Sequence, residues 1–480
     1  MKVVFRKTKI IGTIGPASES GATLEDLMNS GLNVTRINFS HGGFEENKEK
    51  IATIKQVREK FNRPVALMLD TKGPEVRTGV LESRDEKVEV KEGQTFTFYN
   101  EDIIGNNTKT TLTYKDAYKD VKVGSKILVD DGAIEFEVTE IKGKDIICKA
   151  LNTGRLGSRK TVNMPGVSLE LPFISEKDRK DLLDGIKADF DYIAASFVRR
   201  AEDVLEMRKL LNDNGGERIK IISKIECQEG IDNFDEILEV SDGIMVARGD
   251  LGVEVPMEEV PVYQKQMIKK CNRAGKPVVT ATQMLESMTT NPRPTRAEVS
   301  DVANAVYDVT SDIMLSGECA MGKYPIECIK TMSKVSKAVE GSIKYWKRFY
   351  KRSFDHTKKD VEHALAYTTC ITAEQIQADA IVAYTHTGDS ILKLAALAPA
   401  CPIFAITDDI KTYNQLSLVF GTLPVLIEGK ESIDDTIEAG IENLKERELL
   451  EKGDMIVLSG GASVLPKHNK GKVIGGCIKI

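Results

Sequence analysis

The chain has 480 residues, 41% of them hydrophobic, and a formal net charge of −6. That length suggests about three domains at ~150 residues each, with enough apolar material for large cores. The acidic balance argues against nucleic-acid binding, which needs a basic face, and no window nears the ~18 apolar residues that span a membrane.

The N-terminal stretch "MKVVFRKTKIIGTIGPAS" has too short an apolar run, broken by charges, to be a signal peptide. Eight cysteines are scattered with neither a C-x-x-C pair nor zinc-ligand spacing. Reduced, buried thiols in a cytoplasmic protein are the expectation.

In chain order, apolar runs predict strands at "KIIGTIG" (Lys9–Gly15), "VTRINFS" (Val34–Ser40) and "VALMLDT" (Val65–Thr71). After a long interval come "YIAASFV" (Tyr192–Val198), "IKIISKIE" (Ile219–Glu226), "GIMVARG" (Gly243–Gly249), "PVVTATQM" (Pro277–Met284) and "DIMLSGE" (Asp312–Glu318). Near-continuous apolar strands separated by helical stretches fit parallel strands covered by helices. Eight such units predict a closed (β/α)₈ TIM barrel, residues 1–72 and 171–341.

The interval is different in kind. "KVEVKEGQTFTFYN" alternates at period two, and glycines at 93, 105, 124, 132 and 143 punctuate the segment. Residues 73–170 therefore read as a small β domain inserted after the third barrel strand, with "MPGVSLELP" as the returning hinge. After about Ser342, "DAIVAYT" (Asp379–Thr385), "CPIFAIT" (Cys401–Thr407), "TLPVLIE" (Thr422–Glu428) and "DMIVLSG" (Asp454–Gly460) alternate with helices. That pattern predicts an open α/β sheet as a third domain, residues 342–480.

Barrel sites form at the C-terminal ends of the strands. Six strands carry polar residues there: Arg36, Asn38 and Ser40; Asp70 and Thr71; Lys224 and Glu226; Arg248 and Asp250; Thr280 and Thr282; Ser316 and Glu318. Any one alone is more often a cap or a surface residue. Converging on one face, they suit one chemistry. Glu226 and Asp250 are hard oxygen ligands for Mg²⁺. Arg36 and Lys224 offer positive charge to a phosphoryl group. Thr282 and Ser316 can relay a proton. No Cys/His nucleophile pair stands among them.

Strand alternation puts Lys224 and Glu226 on one face and Ile225 on the other. Two readings follow. Either a metal beside Glu226 and an anion beside Lys224 compensate both charges, or the two form a buried bridge with no Asp250 nearby. In "VARGDLGVEVP", a Gly-rich turn opens a short helix whose free N–H groups could hold a carboxylate or phosphate.

Taken together, "NFSHG", "LDTKGPEVRTG", "SKIE", "VARGDLGVE", "ATQMLESM", "PTRAEVSDVANAV" and "LSGE" resemble pyruvate kinase, in the family's order and across all three domains. The resemblance implies a barrel, an inserted β-barrel lid and a C-terminal effector domain. It implies phosphoryl transfer from phosphoenolpyruvate to ADP, giving pyruvate and ATP, in a cytoplasmic, allosteric homotetramer. It implies Mg²⁺ (or Mn²⁺) and K⁺ as cofactors.

By that resemblance, Lys224 stabilises the transferring group and Arg36 binds substrate phosphate. Glu226 and Asp250 bind Mg²⁺; Asn38, Ser40, Asp70 and Thr71 hold K⁺. Asn38, Phe39, Ser40 and His41, with Arg77 and Lys160, contact the nucleotide. Gly249, Asp250 and Thr282 hold the pyruvate moiety, and either Thr282 or Ser316 supplies the proton through water. In the family a glutamate in "TKGPE" goes with K⁺ dependence, and a lysine there replaces the ion. Glu75 puts this chain on the dependent side, although its Gly-Pro neighbours would also suit a solvated loop carboxylate.

Two departures stand out. Cys227 follows the "SKIE" glutamate, and strand parity turns it away from Glu226 as a packed, inert thiol, with a redox-sensitive thiol as the lesser alternative. In the third domain, "THTGDS" (Thr385–Ser390) matches the loop that cradles a sugar phosphate, yet carries Asp389 where relatives place a basic residue. Thr385, Thr387, Gly388 and Ser390, with Lys470 and Lys472 of "PKHNKGK", would bind an effector of the sugar-phosphate or AMP type. Two rivals remain: a metal-dependent lyase on a related barrel, and a non-catalytic phosphometabolite sensor.

Overall fold

The computed structural model describes residues 5–40, 42–61, 63–83, 86–351, 360–460 and 475–480. His41, Lys470 and Lys472 lie outside the described residues.

Eight parallel strands close a barrel: β1 (Lys9–Thr13), β2 (Val34–Asn38), β3 (Ala66–Asp70), β4 (Tyr192–Ala195), β5 (Lys220–Ile225), β6 (Gly243–Ala247), β7 (Val278–Ala281) and β8 (Asp312–Leu315). The order around the barrel is β1-β8-β7-β6-β5-β4-β3-β2. Alternation along each strand divides its residues between two cores. Ile11, Val34, Met68, Ile222, Met245 and Met314 fill the interior. Ile10, Ile37, Leu67, Ile225 and Ile244 face outward against the helices. The "PTRAE" motif starts one of those helices: Thr295 and Glu298 form a capping box at Arg296–Tyr307, satisfying two backbone donors that the first turn leaves open.

The inserted segment between β3 and β4 folds on its own core. Its seven-stranded sheet runs from Val76–Arg77 at one edge to Lys109–Thr111 at the other. A bridge between Thr78 and Leu112 joins the two edges, so the sheet curls into a small barrel. Phe96, Phe98 and Phe136 pack at its centre in tilted and edge-to-face pairs, ring centroids 4.8–5.4 Å apart. The alternation in "TFTFY" is what buries both Phe96 and Phe98.

The C-terminal sheet has the order β11-β10-β9-β12-β13, with β9 (Ala380–Tyr384), β10 (Ile403–Thr407), β11 (Thr422–Leu426), β12 (Met455–Gly460) and β13 (Gly475–Lys479). The fifth strand corrects the sequence reading, which has four. It is antiparallel to β12, and its "GGCIK" sequence opens on two glycines, which weaken the strand signal. This domain also stoppers the N-terminal end of the barrel. Leu418 enters the interior core, Tyr192 Oη donates to Gln415 O at 2.7 Å, and Lys7 Nζ donates to Pro399 O and Cys401 O at 3.0 and 3.1 Å.

The barrel strands are shorter than their apolar runs predict. The ladder stops before Ser40, Thr71, Glu226, Thr282 and Ser316. Arg248 and Asp250 sit not on a strand but in the Arg248–Glu254 helix that follows β6 directly.

Candidate active site

A cleft of about 420 Å³ opens at the C-terminal end of the barrel, beneath the inserted domain. Among the described residues its wall includes Arg36, Asn38, Ser40, Asp70, Glu75, Arg77, Lys224, Glu226 and Asp250. Lys224 is the hub. Its Nζ lies 3.1 Å from Asp70 Oδ1, 3.1 Å from Glu226 Oε1 and 2.7 Å from Ser196 Oγ. Arg36 braces the same carboxylate from the other side, with Nε 2.6 Å from Asp70 Oδ2 and Nη1 2.7 Å from Thr13 Oγ1. Glu226 Oε2 accepts the Phe197 N–H at 2.6 Å.

Burial works against charge at each of these groups, and neighbours decide the outcome. Burial disfavours the Lys224 ammonium, but Asp70 and Glu226 outweigh it and push the group up to about 12. For Asp70, burial is opposed by Arg36 and Lys224, which together hold it below the usual carboxylate range. Burial lifts Glu226 to about 7, against the pull of Lys224 and with Asp250 adding to the rise. The site thus keeps a permanent cation among carboxylates and presents oxygen ligands of uneven basicity.

The backbone is strained here as well. Thr282 has φ 68° and Phe197 φ 54°, a region that a β-branched or bulky side chain seldom occupies. The strain turns Thr282 Oγ1 toward the Gly249 N–H, which it accepts at 2.7 Å.

A family model described as "Pyruvate kinase, barrel domain" matches residues 5–329, and one described as "Pyruvate kinase, alpha/beta domain" matches 363–473. The pyruvate kinase of Clostridium acetobutylicum is 48% identical over 458 residues, covering 95% of this chain and 96% of that protein. That of Clostridium perfringens is 47% identical over 459 residues, covering 95% and 96%. A crystal structure of a pyruvate kinase from Cryptosporidium parvum superposes with a TM-score of 0.93 at 39% identity, over 99% of this chain and 96% of that one. The chain belongs to the pyruvate kinase family. It transfers the phosphoryl group of phosphoenolpyruvate to ADP, giving pyruvate and ATP, in a metal-dependent reaction.

Within this pyruvate kinase fold, the residues expected at the site divide into three groups. Arg36, Asn38, Ser40, Asp70, Arg77, Lys224, Glu226 and Asp250 share the cleft wall. Thr71, Gly249, Thr282 and Ser316 follow the ends of β3, β6, β7 and β8 and are not part of that wall. The Thr71 carbonyl accepts Ser196 Oγ at 2.7 Å, and Ser316 precedes the Gly317–Ala320 turn of helix, its N–H donating to Glu318 Oε2 at 2.7 Å. Phe39 is fully buried, its ring against Phe190, its N–H donating to Asp70 O at 3.0 Å and its carbonyl accepting Lys177 Nζ at 2.6 Å. Lys160 lies in the inserted domain and pairs with Asp130 at 2.9 Å.

Several expectations need correcting. The Lys224–Glu226 bridge and Asp250 coexist in one cleft, so the two readings of that pair are not exclusive. Cys227 also lines the cleft, because β5 ends at Ile225 and strand parity no longer governs it. Burial pushes its thiol up to about 12, which keeps it protonated and inert. Glu75 is no solvated loop carboxylate: it pairs with Arg77 at 2.7 Å, and its Oε2 is buried with no partner. In the C-terminal loop, Gly388 takes φ 92° ahead of the Asp389–Ala396 helix. Its N–H donates to Thr385 Oγ1 at 2.9 Å, while Thr387 Oγ1 donates to Asp389 Oδ2 at 2.9 Å. The Ser390 hydroxyl oxygen is buried without a partner.

Two further residues, Ser196 and Thr13, join the site without having been expected there. Both stand at C-terminal strand ends, at "YIAASFV" and "KIIGTIG", so the rule that picks out the other six strands applies to them equally.

Proposed function

We propose that Lys224 and Arg36 hold and stabilise the transferring phosphoryl group, with Glu226 and Asp250 as the Mg²⁺ (or Mn²⁺) ligands. The observation that carries this is the Lys224 ammonium held between Asp70 and Glu226 in the cleft that Asp250 also lines. Two carboxylates in one wall suit Mg²⁺, which is usually held by one or two protein carboxylates with substrate phosphates and waters completing the shell. Bound there, the ion would neutralise charge developing between donor and acceptor oxygens.

The chain's own groups do the rest. Arg36 and Lys224 are fixed by Asp70, Thr13 and Ser196, so they need no reorganisation as charge moves between the two oxygens. Arg77 and Lys160 approach from the inserted domain and compensate the nucleotide phosphates, with Asn38, Phe39 and Ser40 contributing from the end of β2; the family's His41 belongs to this set by resemblance. Gly249, Asp250 and Thr282 orient the carboxylate-bearing end of the substrate, with the Gly249 N–H held by Thr282 Oγ1. A proton from Thr282 or Ser316 reaches the substrate carbon through water, since neither residue lines the cleft.

The monovalent-ion set is Asn38, Ser40, Asp70 and the Thr71 carbonyl. Its all-oxygen chemistry fits K⁺, and the unpartnered Glu75 Oε2 nearby supports a cation requirement at this edge of the cleft. In this proposal residues 1–72 with 171–341, 73–170 and 342–480 are the three domains, supported by their separate hydrophobic cores. Thr385, Thr387, Gly388 and Ser390 form the effector loop, for a monophosphate of the sugar-phosphate or AMP type. A cytoplasmic homotetramer follows from the family. Among the described residues, seven free cysteines support a reducing setting, and no helix is long and apolar enough to cross a membrane.

The test is a coupled assay for pyruvate from phosphoenolpyruvate and ADP, run with Mg²⁺ chelated and restored. Activity should vanish and return. D250N should raise the Mg²⁺ concentration for half-activity, and an unchanged Mg²⁺ titration would remove Asp250 from the site.

A further inference from the structure

The Arg248–Glu254 helix is held at both ends, by different parts of the molecule. At its start, Arg248 Nη1 lies 2.7 Å from Asp301 Oδ1 and Nη2 donates to Thr282 O at 2.7 Å, which ties the Gly249–Asp250 turn to the barrel. At its end, Glu254 Oε1 accepts Asn163 Nδ2 at 2.8 Å. Asn163 closes the strand Thr161–Asn163 of the inserted domain, and Thr161 of that strand pairs with Arg77. One residue before Glu254, Val253 lies under the turn at Gly132, where an added Cβ would sit 3.8 Å from Val253 Cγ1. The inserted domain therefore bonds to the last turn of this short helix through Asn163 and approaches it again at Gly132. The bland alternative is that the bond merely satisfies a sheltered carboxylate. That reading leaves unexplained why its partner is the neighbour of the Arg77 strand.

We propose that Glu254 is a positioning residue for the phosphoryl transfer. Through Asn163 it keeps the base of the inserted domain in register with the helix that carries Asp250, so that Arg77 and Asp250 face the same cleft. This rests on the roles proposed above for Arg77 and Asp250. Glu254 and Asn163 both line the cleft, and the role proposed for Glu254 is to position other groups rather than to contact the reacting atoms. Its bond to Asn163 sets the separation of two groups that do, one on each side of the cleft. Losing the bond lets the base of the inserted domain drift, and a drift of a fraction of an ångström is enough to lower the rate.

The test exchanges donor and acceptor in the full-length enzyme. N163D sets a carboxylate against Glu254, and E254A removes the acceptor without adding charge. Each should lower kcat/KM for ADP roughly tenfold, the size of one hydrogen bond, while KM for phosphoenolpyruvate moves less than about twofold. The double variant N163D/E254Q regains the bond with its polarity reversed and should recover most of the loss. Amide hydrogen exchange over residues 161–163 and 248–254 should quicken in N163D and E254A and slow again in the double variant. A double variant no better than N163D, or single variants within about twofold of the unaltered enzyme, would overturn the proposal. If the unaltered chain makes no pyruvate, the assigned roles fail instead, and hydrogen exchange alone still decides the coupling.

Discussion

Replacing Lys224 by methionine removes the hub of the cleft and leaves its volume nearly unchanged. A single preorganised group of this kind is worth roughly 10²–10³-fold in kcat, about 2.7–4 kcal/mol. Lys224 carries a full charge and is gripped at 2.7 Å by Ser196 and at 3.1 Å by two carboxylates, so the upper end, roughly 10³-fold, is expected. Folding should suffer less. An unpaired buried charge typically costs about 3–5 kcal/mol, but Asp70 keeps Arg36 at 2.6 Å. Glu226, already lifted to about 7 by burial despite its cation, rises further without it and takes up a proton. Near pH 7 that uptake costs under about 1 kcal/mol. The sign follows: a carboxyl raised in the folded state contributes stability at low pH that is lost as pH climbs through its folded value. The stability deficit of the variant should therefore grow from about pH 5 to pH 8. Initial rates of pyruvate formation at saturating substrates measure the first effect, and thermal midpoints across pH measure the second. A kcat within about tenfold of the unaltered enzyme would refute the role of Lys224, and a deficit independent of pH would refute the account of Glu226.

In buffer free of Na⁺ and K⁺, with a bulky organic cation for ionic strength, activity should collapse and return on adding KCl; Glu75→Lys should make the enzyme partly independent of K⁺ while raising KM for ADP, because it also breaks the Glu75–Arg77 pair. Full activity without K⁺ would defeat both the ion site and the reading of Glu75. Glu226→Gln should raise the Mg²⁺ needed for half-activity by about tenfold or more, the effect of losing one charged ligand, and an unshifted Mg²⁺ titration counts against it. Lys9, whose Nζ donates to Thr422 O, is brought down to about 7 by burial, with Arg6 adding to the fall. Between pH 7 and about 10.5 the unfolded chain holds a proton there that the folded chain has released, so the stability of the unaltered enzyme should rise relative to Lys9→Met by up to about 1.4 kcal/mol per pH unit; parallel melting curves for the two proteins across that window would contradict it. Asp389, beside Thr387 in the C-terminal loop, should make fructose 1,6-bisphosphate a poor activator, and strong activation at low concentration would refute that expectation.

Much of the molecule is local and therefore legible from its residues alone. Alternation in "TFTFY" and apolar runs such as "KIIGT" depend only on neighbours along the chain, so the eight barrel strands, the inserted β domain and the third domain follow from residue patterning. Lys224, Glu226 and Asp250 also stand out from the sequence, because charged residues at or just beyond the ends of otherwise apolar barrel strands are few. What closure of the barrel decides is which groups meet. Lys224 finds Asp70, 154 residues away, only when β5 and β3 lie on either side of β4 in one ring. Ser196 joins them because β4 ends between the two. Cys227 enters the cleft because the ladder stops at Ile225, and parity lasts only as long as the ladder. Glu254 meets Asn163, 91 residues away, because the inserted domain folds back over the barrel. The strand β13 exists through its antiparallel pairing with β12, since two leading glycines leave it little propensity of its own. Side-chain patterning is written along the chain; pair distances are set by tertiary packing, which alone brings carboxylates and cations within 3.1 Å of each other.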